Sequence, residues 1–337
     1  MANQFGSSLY AAVADDTLKD EDNAAWVTEL ESDVQNEWVQ RIRWIRWIDR
    51  LAEQDLLNPG SHQFYTFFME WKGVVETGQV AAGSIYTEFL LPLYDRWWQS
   101  TGVIDYPAIR AWQRYLSAIA RYHIPNLVIP TLDQYEMMLK ALAGSFFQLF
   151  PYLPRQYRQA AYSLGAIDQF YNNLRDLSED AVQGICYLPE ELLQEYSVRR
   201  EEILQFTAYQ NPNYHRMMQF WLENYLPRLH HQAQEILAAE DLHPSWQILR
   251  HWSLHRYHRI IEVFRACNFN YAEFPRMYWA MVQHELPLLL AEVRQSEPIC
   301  QSLPCHWQSG NRGPGHSSRL VKPLRSNKRL VQQPLSA

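Results

Sequence analysis

In the stretch from Gln169 to Pro189, Asn172, Asp176 and Asp180 recur every fourth residue. On an α-helix that spacing stacks side chains along one face, with neighbouring Cβ atoms about 5–6 Å apart. Gln169, Asn173, Asp176 and Asp180 keep the companion helical rhythm on the same stripe. Two carboxylates with two or three amides make a hard, oxygen-rich surface. Mg²⁺ suits such a surface, because it takes few carboxylates and leaves positions for phosphate oxygens. An isolated pair of this kind is ordinarily a solvated acidic face, but here Arg175 and Glu179 join it in a helix otherwise apolar or aromatic. A second pattern, Arg46-x-x-Asp49-x-x-x-Glu53, aligns a guanidinium and two carboxylates with Ile42 on one stripe.

Positioning two such stripes requires helices, and the chain supplies the signals for them. Of 337 residues only 12 are glycine, while 13 are tryptophan and 20 tyrosine. Apolar residues recur at helical spacing far more often than with period two, which predicts an all-α protein. Helices are expected over 33–54, through the aromatic-rich stretch 62–101, and over 107–122, 133–150, 154–183, 190–205, 214–239 and 244–266. Pro107 reads as a first-turn proline. Pro125 and Pro130 break the pattern between two of these helices and favour extended backbone. Three domains of sequence follow: an acidic, loosely ordered lead-in over 1–32, a helical body over 33–297, and a segment from 298 to 337. That last segment holds six Lys and Arg and no Asp or Glu after Ser302, with Gly, Pro and Ser throughout, and is expected to be disordered.

The motifs together resemble the squalene/phytoene synthase family. Asn172-x-Leu174-Arg175-Asp176-x-x-Glu179-Asp180, followed by Gly184 and Tyr187-Leu188-Pro189, is similar to the family's second aspartate-rich motif. Arg46-x-x-Asp49-x-x-x-Glu53 resembles the first, with Glu where the family has its last Asp. Ala143-Gly144, Tyr257-x-x-Ile260-Ile261 and Arg276-Met277-Tyr278 resemble shorter family patterns in the expected order. The chain departs from the family at Met138, usually tyrosine, and at Ser145-Phe146-Phe147, usually Thr-Val-Gly.

The resemblance implies a single-domain isoprenoid-synthase-type helical bundle around a central cavity. It implies a prenyltransferase of isoprenoid and carotenoid biosynthesis. Two geranylgeranyl diphosphates would be joined head to head to phytoene, or two farnesyl diphosphates to squalene. Asp49, Glu53, Asn172, Asp176 and Asp180 would hold Mg²⁺. Arg46 and Arg175 would contact diphosphate, Tyr257 and Arg276 would close that end, and Gln169 and Asn172 would bind substrate. Ala143, Gly144 and Phe146 would line the tunnel for the prenyl chain. The alternative is a catalytically weak relative that binds a prenyl lipid or a protein partner.

The remaining features set boundaries. A net charge of −7 gives no support for nucleic-acid binding. The four cysteines form no ligand framework, and a reducing cytosol is expected. No apolar run reaches the roughly 18–20 residues of a membrane span, and the N-terminus does not read as a signal peptide. A cytoplasmic protein is expected, with peripheral membrane contact through the basic tail. His251, His255 and His258 share a helical face and could suggest a metal. Arg250, Arg256 and Arg259 crowd that stretch, so a surface or packing role is expected.

Overall fold

The computed structural model describes residues 25–58, 60–99, 102 and 104–296, and every regular element among them is helical. In order these are α1 (Ser32–Leu57), α2 (Gln63–Thr77), α3 (Thr87–Tyr94), α4 (Tyr106–Tyr122), α5 (Leu132–Leu139) and α6 (Arg158–Arg175). Next come α7 (Leu177–Val182), α8 (Glu190–Glu195), α9 (Arg200–Leu204), α10 (Pro212–Phe220), α11 (Leu226–Gln232) and α12 (Gln234–Leu237). Two long helices, α13 (Pro244–Ala266) and α14 (Phe274–Ser296), close the series.

Local chemistry explains most of the starts. Asp105 accepts from the backbone N–H of Ala108 at 3.1 Å, ahead of Pro107 in the first turn of α4. Thr131 accepts from Gln134 to open α5, and Asn211 from Asn213 to open α10, where Pro212 is the first helical residue. A side-chain acceptor at this position satisfies one of the N–H groups that a helix start leaves unbonded.

Several expected helices are broken where periodicity alone shows one. The stretch 133–150 runs through α5, a π-helical turn at Lys140–Gly144 and a last turn at Ser145–Phe147. The stretch 154–183 divides into a 3-10 turn, α6 and α7, with the break at Asp176 (φ −91°, ψ 3°). Residues 190–205 divide at Ser197, whose φ of 53° ends α8 while Val198 N–H bonds back to Leu193 O. A second π turn, Trp221–Tyr225, lies between α10 and α11.

Helix α6 is the centre of the bundle. Alanines, Leu164, Ile167, Phe170, Tyr171 and Leu174 bury nearly its whole circumference, the pattern of a helix enclosed by others. Around it pack α5 with its π turn, α11, α12 and α13. The closest contact is with the π turn. A Cβ built on Gly165 would sit 2.4 Å from Ala143 O, and one on Gly144 would sit 2.5 Å from Tyr162 O. Both glycines are therefore required by the crossing itself.

The lead-in expected over 1–32 is described only from residue 25, and that part is packed. Ala25–Glu29 forms a 3-10 turn with Ala25, Trp26 and Val27 buried. Trp26 meets Trp38 edge-on at 5.0 Å between ring centroids, so apolar anchoring begins before α1. The acidic cluster ahead of residue 25 and the basic segment after 297 lie outside the described residues.

Candidate active site

Helix α1 turns Arg46, Asp49 and Glu53 toward one cavity, and α6 and α7 turn Asp168, Gln169, Asn172, Arg175, Asp176, Glu179 and Asp180 toward the same one. Its volume is about 420 Å³, within the range of small-molecule pockets. The rest of the lining is largely apolar and aromatic, including Trp26, Ile45, Leu142, Phe146, Phe147, Phe150 and Leu249. Charge and hydrocarbon surface thus share one enclosure.

Each polar group is held in a definite way. Tyr115 on α4 donates to Asp49 Oδ1 at 2.5 Å, and an Arg46 guanidinium nitrogen lies 3.5 Å from Asp49 Oδ2. Burial and then the Asp49 charge raise the Tyr115 pKa well above the ordinary phenol value, so the phenol keeps its proton and stays a donor. Arg175 grips Asp176 with two parallel bonds of 2.7 and 2.8 Å, the bidentate geometry that guanidinium offers carboxylates. Asp176 occupies the break between α6 and α7, although its N–H still bonds Asn172 O at 2.9 Å and its carbonyl still accepts from Asp180 at 2.8 Å. The carboxylates therefore keep the four-residue rhythm across the break.

Convergence of the two stripes is visible at Tyr187. Burial raises its pKa, and Asp180, Asp176, Asp49 and Glu53 add to the shift in that order. All four carboxylates act on one phenol. His123 also lines the cavity; burial lowers its pKa, against the opposing pull of Asp49 and Glu53.

Asp168, unremarked by the motif reading, sits one turn before Asn172 and anchors this wall. Buried, it accepts from Arg256, from Tyr257 at 2.8 Å and from Asn172 Nδ2 at 3.2 Å. A carboxylate only accepts, so the Asn172 amide must turn its nitrogen to Asp168. That leaves Asn172 Oδ1 buried with no partner among the described residues. A buried lone acceptor beside carboxylates is what a hard cation ligand looks like before its ion is supplied. The donor set of Asp49, Glu53, Asn172, Asp176 and Asp180 fits Mg²⁺ in type.

Four residues of the sequence-based site lie outside this lining. Ala143 and Gly144 are buried and absent from the cavity lining; they face Gly165 and Tyr162, because the bundle uses their smallness for helix contact. Tyr257 also lies outside the lining, stacked on Tyr171 at 4.2 Å and donating to Asp168. It supports the wall from behind. Arg276 is exposed and outside the lining. On α14 the buried positions Phe274, Tyr278 and Val282 repeat every four residues, and Arg276, two residues from each neighbour, falls on the opposite face. Gln169 does line the cavity, with its amide nitrogen donating to Asn173 Oδ1 at 2.9 Å.

Sequence spacing also left out Tyr115, His123 and Arg256. Asp168 had a local signal, since it extends the four-residue series upstream. Arg256 had none, because its partner is 88 residues away.

Comparison with known proteins places this arrangement. No curated protein matches the chain. Residues 134–283 match the squalene/phytoene synthase family model, a span that includes α6, α7 and α13 but not α1. A dehydrosqualene synthase, solved in complex with ligand, is similar over 86% of this chain and 99% of its own, with a TM-score of 0.61 and 14% identity. Squalene synthase HpnC from Alicyclobacillus acidocaldarius is similar over 77% of this chain and 94% of its own, with a TM-score of 0.58 and 13% identity. At these identities the structures establish a shared isoprenoid-synthase-type helical fold. That family match lies over the helices that carry Asp168 to Asp180.

Proposed function

We propose that this protein is a prenyltransferase that joins two prenyl diphosphates head to head and releases diphosphate. Geranylgeranyl diphosphate is the proposed substrate and phytoene the product, with farnesyl diphosphate and a C30 product as the second choice. The observation that carries the reading is one cavity lined by four paired-stripe carboxylates, the unpartnered Asn172 carbonyl and a set of aromatic rings.

Asp49, Glu53, Asn172, Asp176 and Asp180 would hold Mg²⁺, which when bound neutralises the charge of the diphosphate. The chain's own residues then divide the work. Arg46 and Arg175 present guanidinium groups to phosphate oxygens, Arg175 from its grip on Asp176. Tyr115 fixes the Asp49 carboxylate, and Asp168 orients Asn172. Loss of diphosphate from an allylic carbon leaves a cation that water would quench. Phe146, Phe147, Phe150 and Trp26 keep water from it and offer ring faces to positive charge. The basic segment after Pro298 supports peripheral contact with anionic lipid, where a hydrocarbon product would leave.

Binding without turnover is the second reading, favoured by Phe146 and Phe147 occupying lining positions. Incubation with each diphosphate and Mg²⁺, followed by diphosphate assay and product mass, separates the two. Turnover is expected, and Asp176→Asn is expected to lower it about a hundredfold or more, the scale of one preorganised charge-stabilising group. Full turnover in a well-folded Asp176→Asn protein would remove the catalytic reading.

A further inference from the structure

Away from the cavity, α13 and α14 bring together donors of a different kind. His251 and His255 lie one turn apart on α13, both exposed, with ring centroids 4.5 Å apart. From α14, Glu292 places a carboxylate oxygen 3.2 Å from His251 Nε2. One ligand atom of each of the three lies within 4.8 Å of the others. Sequence spacing suggests His258 as the third member. The structure instead puts His258 beside Glu262 of its own helix, at 3.5 Å, and supplies the third donor from the facing helix.

We propose that His251, His255 and Glu292 form a surface site for a first-row transition ion of the zinc type, bridging α13 and α14. Two imidazoles and one carboxylate are borderline ligands; they suit Zn²⁺, Co²⁺, Ni²⁺ and Cu²⁺, whereas Mg²⁺ and Ca²⁺ take oxygen cages. The site therefore differs from the cavity in the class of ion it selects. Donors on a tetrahedral zinc, each about 2.0–2.1 Å from it, are about 3.3 Å from one another. The His251–Glu292 pair already has that spacing, and His255 needs only a side-chain rotation that its exposure permits.

Neighbouring cations are engaged elsewhere. Arg259 donates to Glu285 at 2.6 Å, Arg250 donates to the carbonyls of Ile236, Leu237 and Ala239, and Arg256 is buried on Asp168. A bound ion would tie the last turns of α14 to α13, closing a loop between positions 41 residues apart. It would stabilise the folded chain by mass action, without any part in the cavity chemistry.

The test uses the full-length chain with Co²⁺ alone, followed by its visible ligand-field band, and Zn²⁺ by competition with a chromophoric chelator. One equivalent of Co²⁺ should develop the band, Zn²⁺ should abolish it, and excess Mg²⁺ should not. His251→Ala and His255→Ala should each weaken binding about tenfold or more, since even outer-shell partners cost 10–100-fold. Both side chains are exposed, so metal-free melting curves should match the parent, and the Zn²⁺-induced rise in melting temperature should vanish. No band at one equivalent overturns the proposal. So does an equal band in the His251→Ala, His255→Ala double variant, which would place the ion elsewhere, including on the cavity carboxylates.

Discussion

Asp168 shows how one buried carboxylate can organise a site it does not advertise. It accepts from Arg256, Tyr257 and Asn172 and is nearly inaccessible to solvent, as is Arg256. Burial disfavours the charge on Arg256, and Asp168 with Tyr257 and Tyr278 more than offsets it, so the net shift is upward. Breaking a buried pair from one side costs about 3–5 kcal/mol, because the surviving charge has no counterion. Asp168→Asn is therefore expected to lower the melting temperature by roughly 6–20 °C, at about 2–4 °C per kcal/mol for a domain of this class. Replacing both partners, Asp168→Leu with Arg256→Met, should recover much of that loss, because no charge is then stranded. A single variant as stable as the parent would show the pair to be dispensable. Some of this was readable beforehand. The rhythm of 172, 176 and 180 continues to 168, and residues on one helix face can be named from spacing. The identity of Arg256 could not be, because a contact across 88 residues leaves no local pattern.

At the level of elements, two glycines decide how closely the central helix is approached. The Ala143-Gly144 pair resembles a tunnel-lining segment, but smallness serves equally well for helix contact, and only the partner Gly165 distinguishes the two. The Cβ of Gly165→Ala would meet Ala143 O at 2.4 Å and Gly144 Cα at 2.6 Å. These are backbone atoms, so α6 and the π turn would have to part. Overpacking of this kind costs about 1–3 kcal/mol or more, against about 1 kcal/mol gained from replacing helical glycine with alanine. A net loss of up to about 2 kcal/mol is expected from chemical denaturation. Gly73 in α2 supplies the contrast, since its added Cβ would meet nothing within 4 Å. Gly73→Ala should raise stability by about 0.5–1 kcal/mol. If both changes act alike, propensity outweighs the crossing and the packing account is wrong. The helices themselves were largely legible as apolar periodicity. Their breaks were not, because a π turn at Lys140–Gly144 shifts the register by one residue inside an otherwise helical pattern.

Over the whole molecule, composition announced an aromatic-rich helical interior without saying which rings wall a cavity. Trp71, Trp97 and Trp112 pack against one another at 5.9–6.3 Å, whereas Trp26 and Phe146 line the cavity; sequence spacing treats them alike. The same interior sets the response to acid. Burial lowers the pKa of His123, His230 and His243, so each is neutral when folded at a pH where the unfolded chain, near 6.5, starts to take up protons. Stability then rises with pH wherever the unfolded state binds more protons. The contribution of these histidines is complete above about pH 6.5 and is lost as pH falls from there toward their folded values. Glu136 acts in the same direction at lower pH. Burial opposes its charge, but its bonds from Lys140 and Gln232, with the charges of Lys140 and Arg228, leave the net pKa lowered. Its stabilisation is present above the ordinary carboxylate value and disappears as pH drops through the folded one. Melting temperatures measured without added metal should therefore fall from about pH 6.5 to 5.5 and further below 4.5. His230→Gln should flatten the upper part of the profile, since a neutral amide in place of a buried imidazole removes one proton taken up on unfolding. A profile that is level or rising as pH drops from 7.5 to 5.5 would mean that these histidines are protonated in the folded protein.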